Sequence, residues 1–197
     1  MNTERSANIS VSVKWLALMT LIIGILPSAG MAADEEPEFV VRSAGTVLVD
    51  KVYRLNANIH YRFSDEALDA LDNGVPLVVE LDIEIEKKRD YVWNETVASL
   101  HQRYQLSYEA LTQRYIVTNL NSGADNYYGG RTAAIAALGN VDKLPILDAG
   151  LLNPNEQYIV SLQTNLALDA LPVPMRVVGY FSSNWRIASE WVSWPLH

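Results

Sequence analysis

The feature that most constrains the fold is a regular alternation of apolar and charged residues between Val75 and Lys87. Successive side chains of a β-strand point to opposite faces, so this period of two indicates a strand with one buried and one solvated face. The apolar face consists of Val75, Leu77, Val79, Leu81, Ile83 and Ile85, and the acidic face consists of Glu80, Asp82, Glu84 and Glu86. Such a strand needs a second apolar layer to cover it.

Further strands are predicted on both sides of this one. Residues 53–63 alternate in the same way, and a hairpin is predicted over residues 100–118 with its turn at 109–112. Residues 157–168, 175–181 and 187–194 are also predicted to be strands. The polar stretch 140–157, which is interrupted by proline, is predicted to be a loop.

Two short helices are predicted between the strands. Ser64 is a typical helix N-cap, because its hydroxyl can accept a hydrogen bond from a free amide of the first turn. Asn73 and Gly74 form a typical left-handed stop for this helix. The second helix is the Ala-rich segment Arg131–Leu138, which lies between two glycines.

These elements predict a mainly β fold. Antiparallel strands with alternating faces, together with the lack of a β-α-β rhythm, favour a two-layer antiparallel β-sandwich, immunoglobulin-like or similar, with two short helical inserts. A closed β-barrel is the alternative. We expect an acidic spacer over residues 33–38 and a single sandwich domain over residues 39–197.

Residues 1–32 are predicted to be a signal peptide. A polar, basic start is followed by an apolar run from Trp15 to Leu26, and then by Pro27 and small residues. The run is shorter than the ~20 apolar residues that cross a bilayer. We expect cleavage after Ala32 and a periplasmic protein. The alternative is an uncleaved anchor in the inner membrane with the domain facing the periplasm. We expect membrane contact only if the leader is uncleaved.

The composition narrows the classes of partner. The chain has no Cys, which excludes disulfides, thiolate metal sites and a lipoprotein anchor. Its formal net charge of −8 repels phosphate backbones, so nucleic acid is not an expected partner.

The acidic face of strand 75–87 is the first candidate for chemistry. Its carboxylates are about 7 Å apart along the strand, a spacing that calcium binding or paired-carboxylate hydrolysis could use. Hydrolysis needs one acid whose pKa is raised by burial, and a solvated face does not supply it. We therefore expect a structural ladder, with cation binding as the alternative. If segment 53–63 lies alongside, its cross-strand partners are Arg54, His60 and Arg62.

The sequence contains no motif typical of an enzyme. His60, His101 and His197 lack a second ligand at metal-binding spacing, and no G-x-S-x-G nucleophile elbow occurs. We therefore predict no catalytic, cofactor-binding or metal-binding residue, no cofactor and no enzymatic activity. A hydrolase with an unfamiliar site is the remote alternative.

Two places combine aromatic and charged residues as an interaction surface does. The carboxyl end concentrates Trp185, Trp191 and Trp194 around Arg186, and indoles are frequent at the centres of interfaces. Before the second helix, a glycine-rich loop carries Tyr127, Tyr128 and Arg131. Packing of these residues into or against the core is the structural alternative for both places.

Several motifs follow one another in a fixed order along the chain. The strand beginning at Val47 and the helix SDEALDAL are followed by NGVPL at 73–77, LSYEALTQRY at 106–115 and the closing SEWVSW at 189–194. This order resembles an uncharacterised proteobacterial family of exported proteins that carry a domain of unknown function. The resemblance implies no catalytic residue. It implies a gene neighbourhood that often includes the membrane sensor kinase of a nitrogen-regulation system.

The sequence therefore predicts a periplasmic, non-enzymatic module that binds or assists another envelope protein. A sensor kinase is one candidate partner through the resemblance, which also suggests a regulatory role. The alternative is a carrier of a small ligand or lipid, which would need an internal apolar cavity of ~300 Å³ or more.

Overall fold

The computed structural model describes residues 36–89 and 91–196, and their strands form two antiparallel sheets. The three-stranded sheet has the order β1-β2-β7, and the six-stranded sheet has the order β6-β5-β4-β3-β8-β9. The strands are β1 (Glu38–Val49), β2 (Val52–Arg62), β3 (Leu77–Lys87), β4 (Glu95–Glu109), β5 (Arg114–Asn119), β6 (Ala124–Tyr128), β7 (Asn140–Asp148), β8 (Tyr158–Leu166) and β9 (Val192–Leu196).

Three α-helices connect these strands. They are α1 (Asp65–Asp72), α2 (Arg131–Leu138) and α3 (Val173–Phe181). The two predicted helices are confirmed as α1 and α2. The Ser64 hydroxyl accepts a hydrogen bond from the Ala67 amide at the start of α1, and Gly74 beyond its end has a φ of +86°.

The two sheets face each other across one apolar core, so the predicted two-layer antiparallel sandwich is confirmed. β3 lies at its centre and is hydrogen-bonded on both sides, to β4 and to β8. The predicted inward residues of β3 from Leu77 to Ile85 are fully buried. In the described part of the chain both sheets are open and end in edge strands, which contradicts the alternative of a single closed barrel.

A polar link joins the sheets inside this core. The hydroxyl of Tyr61 on β2 lies 3.1 Å from the hydroxyl of Thr164 on β8, and both residues are buried. Burial raises the pKa of the Tyr61 phenol far above its usual value, and the hydrogen bond with Thr164 opposes that rise only in part. Phe39 packs edge-on against Tyr61, with ring centroids 4.7 Å apart.

The segment predicted to be a strand at 175–181 is helical, so that prediction is wrong. Val173, Met175 and Val177 alternate with polar residues or proline, and over so short a run a period of two cannot be told from a helical period. Pro172 and Pro174 decide between them, because proline fits the first turn of a helix. The carbonyl of Pro172 accepts from the amides of Met175 and Arg176.

The stretch predicted to be a loop at 140–157 begins with the strand β7, which is a second correction. β7 is an edge strand, where a proline such as Pro145 is tolerated because one side of the strand needs no donor. Two other strands were not recognised in full. β1 begins at Glu38 instead of Val47, and β6 was not predicted.

The predicted strand 187–194 is found in part. β9 covers Val192–Leu196, and Ala188 forms an isolated bridge with Asn165 on β8. The predicted signal peptide and residues 33–35 of the predicted spacer lie outside the described residues. None of the helices in 36–89 and 91–196 is both long and apolar enough to span a membrane.

Gly139 fixes the position of α2 on the three-stranded sheet. Its φ of −79° is available to any residue, so the glycine is not needed for conformational freedom. It is needed for space, because a Cβ at this position would collide with the carbonyl oxygen of Ile59 on β2. The Ile59 amide in turn donates to the Gly139 carbonyl at 2.8 Å. The end of α2 therefore lies directly on the backbone of β2.

We expect Gly139→Ala to lower the free energy of unfolding by about 3 kcal/mol, the upper end of the cost of overpacking, because the obstacle is backbone. Gly130→Ala is the matched control, since no atom lies within 4 Å of a Cβ there and its φ of −155° suits alanine. Urea denaturation of both variants measures the difference. Equal losses would contradict the proposed role of Gly139.

Candidate functional site

The acidic ladder lies on the outer face of the six-stranded sheet. Its neighbours are β4, which places Arg103 opposite Glu80 and His101 opposite Asp82, and β8. The expected partners on segment 53–63 are wrong, because β2 belongs to the other sheet. There Arg54 donates to the carbonyl of Lys143, and Arg62 pairs with Glu38.

Arg103 joins three elements through ion pairs. Its Nε donates to the Glu80 carboxylate on β3. Its Nη1 and Nη2 donate to the two carboxylate oxygens of Asp169, at 3.0 and 3.4 Å. Asp169 lies in the 3-10 turn that follows β8, so the guanidinium ties this turn to the sheet.

His101 lies between the first two carboxylates of the ladder. Its Nδ1 is 2.6 Å from Asp82 Oδ1 and 3.2 Å from Glu80 Oε1. The other oxygen of Asp82 accepts a hydrogen bond of 2.9 Å from the Asn165 amide. Glu80, Asp82 and His101 each offer one ligand atom, and these atoms lie within 4.8 Å of one another. This set has the chemistry to hold a divalent transition-metal ion.

The protein's own groups already occupy these ligand atoms. The Glu80 carboxylate accepts from the Arg103 guanidinium, and the His101 ring is hydrogen-bonded to Asp82. The arrangement is an ion-pair network that crosses three strands. The expected solvated face is wrong for its first two acids, because the side chains of Glu80 and Asp82 are only 14 and 20% exposed. The absence of a bound cation stays a prediction. Glu86 is also engaged, because it accepts a hydrogen bond from Asn94.

The tryptophans predicted as an interaction surface do not lie together. Trp185 is only 4% exposed and belongs to the core. Trp194 is half-buried against the core, and its indole donates to the Thr46 hydroxyl on β1 at 3.3 Å. Trp191 is exposed beside the edge strand β9, and Arg186 is exposed between buried neighbours.

The second predicted surface is also divided. Tyr127 is exposed on the edge strand β6, whereas Tyr128 is partly buried against the core. The Arg131 guanidinium donates to Asp72 at 2.6 Å and so ties α2 to the end of α1. Asp72 also accepts from the Tyr115 hydroxyl at 2.8 Å, which makes this group a contact between elements.

The helix α3 carries a surface that the sequence analysis missed. Val173, Val177, Tyr180 and Phe181 follow the spacing i, i+4, i+7, i+8, and their exposed fractions are 70, 61, 55 and 85%. Gly179 lies on the opposite side of the helix, in contact distance of Leu171 and Trp185. The helical spacing of these apolar residues was the available signal. It was lost because the segment had been predicted as a strand.

The chain matches the family model described as "Domain of unknown function (DUF4390)" over residues 36–195. This match covers nearly all of the two sheets and the helices between them. The chain belongs to this family. No curated protein and no solved structure is significantly similar to this chain. The DUF4390 match therefore identifies a family without assigning an activity to any residue of the network or of α3.

A cleft of about 560 Å³ lies where β8 and β9 meet the loop after β3. Its walls include Lys88, Tyr158, Ile159, Trp194, Pro195 and Leu196. The cleft is open to solvent and lies at the β8–β9 edge of the six-stranded sheet.

The ion-pair network predicts a difference between two arginines of this DUF4390 domain. The side chains of Arg103 and Arg131 are both 38% exposed. Arg103 forms ion pairs with Glu80 and Asp169, whereas Arg131 forms an ion pair with Asp72 alone. We expect Arg103→Gln to cost about 1–2 kcal/mol of unfolding free energy, because it leaves the mostly buried Glu80 next to Asp82 without a guanidinium.

Arg131→Gln is the matched control and should cost less than about 1 kcal/mol, as exposed single pairs do. Denaturant unfolding of the two variants gives both values. If the two losses were equal, the ion pairs of Arg103 would contribute no more to the free energy of unfolding than an ordinary surface ion pair does.

Proposed function

We propose that this DUF4390 protein is a periplasmic, non-enzymatic accessory module that binds another envelope protein through α3. The observation that carries the proposal is the apolar stripe of Val173, Val177, Tyr180 and Phe181, which is exposed to solvent. Soluble proteins seldom expose contiguous apolar side chains unless these form a contact surface.

The shape of the stripe favours a protein partner. Side chains at i, i+4, i+7 and i+8 form a ridge along one side of a helix, which fits a groove or the face of a second helix. Tyr and Phe, which end the ridge, are among the residues enriched at protein interfaces. The helix is held from behind, because Gly179 packs close to Leu168 and Leu171. The ridge is therefore formed before a partner binds, so binding requires little further ordering of α3 and loses little conformational entropy.

The cellular location and the partner class come from the sequence. The predicted signal peptide supports a periplasmic location, and the resemblance to exported proteins encoded near a sensor kinase makes that kinase one candidate partner. The ion-pair network supports a non-enzymatic role, because its carboxylates are committed to Arg103, His101 and Asn165.

Photo-crosslinking in intact cells tests this proposal. We expect p-benzoylphenylalanine at position 180 to form a product with an envelope protein that mass spectrometry identifies. The matched control is position 127, since Tyr127 and Tyr180 are 56 and 55% exposed. Adding Val177→Asp should reduce the product at least about tenfold, because a carboxylate in the middle of the ridge is not tolerated in an apolar contact.

Two results would contradict the proposal. One is that the same crosslinked product forms from position 127 as from position 180, which would indicate nonspecific collisions. The other is a product that survives Val177→Asp, which would place the contact away from the ridge.

The cleft beside β9 favours a second function, the binding of a small molecule. Its volume of about 560 Å³ is large enough for such a ligand, and apolar side chains such as Ile159 and Leu196 line part of it. The space between the sheets, where a carrier of the predicted kind would hold its cargo, is filled by fully buried residues such as Leu55, Leu81 and Leu162.

Native mass spectrometry of the protein isolated from cells separates the two functions. We expect the mass of the protein alone, because the cleft is open to solvent and offers an apolar ligand incomplete burial. A retained small molecule that is lost on Leu196→Asp would favour the carrier over the accessory module. Leu151→Asp, an exposed leucine that is not among the residues lining this cleft, is the control.

A further inference from the structure

The hairpin between β3 and β4 ends in exposed aromatic residues. Tyr91 and Trp93 are 98 and 93% exposed, and Val92 between them is 61% exposed. The foot of the hairpin is well fixed, because the Lys88 amide donates to the Gln157 carbonyl at 2.8 Å and Asn94 bonds to Glu86. The base of the hairpin is fixed while three apolar side chains at its tip are exposed to water. Hydration of these side chains is unfavourable in free energy.

Two other connections place apolar side chains at the same end of the sandwich. Phe39 on β1 pairs with Tyr61, whose hydroxyl meets Thr164 at the level of Leu81 on β3. Farther along both strands, the indole of Trp194 reaches Thr46 on β1 at the level of Ile85. The two strands β1 and β3 therefore run in the same direction. From there β1 continues to Leu48, Val49 and a two-residue turn, whose Lys51 carbonyl accepts from Ala149. Leu48 is 52% and Leu151, just beyond Ala149, is 71% exposed.

We propose that this end of the domain docks on the surface of a phospholipid bilayer, with Tyr91 and Trp93 in the headgroup region. Trp and Tyr favour the membrane interface, because their rings are apolar and their N–H and O–H groups still meet water there. Separate loop tips at one end suit a flat surface, whereas the single ridge of α3 suits a groove.

The charges beside the tip are compatible with a membrane in spite of the net charge of −8. Lys87, Lys88 and Arg89 are consecutive at the foot of the hairpin. Lys87 pairs with Glu156 at 2.8 Å and Arg89 pairs with Glu95, which leaves Lys88 without an ion-pair partner among the described residues. One uncompensated cation adds a modest attraction to anionic lipid, so apolar insertion has to dominate the binding.

This inference goes beyond the proposed function and is independent of it. β3 is 11 residues and about 35 Å long and runs from the end near α3 to the aromatic tip, so the two surfaces lie toward opposite ends of this strand. It also differs from the expectation that membrane contact requires an uncleaved leader. Here the sandwich itself makes the contact.

Fluorescence quenching by brominated lipid tests the insertion directly. Protein isolated from the periplasm is mixed with vesicles of equal parts phosphatidylcholine and phosphatidylglycerol, with and without bromine on the acyl chains. We expect Trp93→Phe to remove a quenched component of the emission. Trp191→Phe is the matched control, because Trp191 is exposed beside β9, away from the tip, and should contribute no quenched component. Taking differences between variants cancels any contribution of residues 1–35.

Vesicle binding of surface variants gives the second readout. We expect Tyr91→Ser with Trp93→Ser to weaken binding at least about tenfold, since two large apolar side chains lose their burial. Leu111→Ser, at a hairpin tip on the other end and 96% exposed, should bind as the wild type does. Val177→Asp on α3 should also leave vesicle binding unchanged, which keeps this test separate from the crosslinking test.

Four outcomes would overturn the proposal. The first is that no quenched component is lost in Trp93→Phe. The second is wild-type binding by the double serine variant. The third is binding that high salt abolishes, which would assign the attachment to charge. The fourth is a crosslink from the Tyr91 position to a protein in cells without any vesicle binding, which would assign the tip to a protein contact.

Discussion

Burial of the inner face of β3 is the constraint on which the rest of the structure depends. The inward residues from Leu77 to Ile85 are fully buried, and β3 is hydrogen-bonded to β4 on one side and β8 on the other. A central strand of this kind can be covered only by a second layer, which β1, β2 and β7 provide. The same strand fixes the outer face, since alternation forces Glu80 and Asp82 outward as soon as Leu81 faces the core.

The outer face shows how the chain tolerates several carboxylates side by side. Arg103 and His101 come from the neighbouring strand β4, and Asn165 comes from β8, so each of the first two carboxylates meets a partner across the strands. A row of acids that is unpaired in the sequence becomes a network once the sheet is formed. This pairing accounts for the alternating acids of β3 as contacts between strands, and it leaves the exposed apolar surfaces as the features without a partner in the described part of the chain.

Those surfaces lie at opposite ends of β3. The ridge on α3 lies opposite the buried Gly179 and has the form of a helix that fits a groove. The tips that carry Leu48, Tyr91, Trp93 and Leu151 have the form of separate projections on a common end. A domain with both would connect the surface of a membrane to a protein held some distance from it. This geometry suits an accessory module, and it gives each surface its own test.

The sequence by itself determined the elements whose period is unambiguous. The alternation of 75–87, the Ser64 cap and the Gly74 stop act within a few residues, so β3 could be predicted with its buried face and α1 with its two ends. Only the tertiary structure decided which strands are neighbours, because strand pairing joins residues that are far apart in the chain. In the folded domain the partners of the ladder are Arg103 and His101 instead of the predicted Arg54 and His60. Trp185 is buried, whereas Trp93 is exposed. Exposure depends on what packs around a side chain, and no local pattern contains that information.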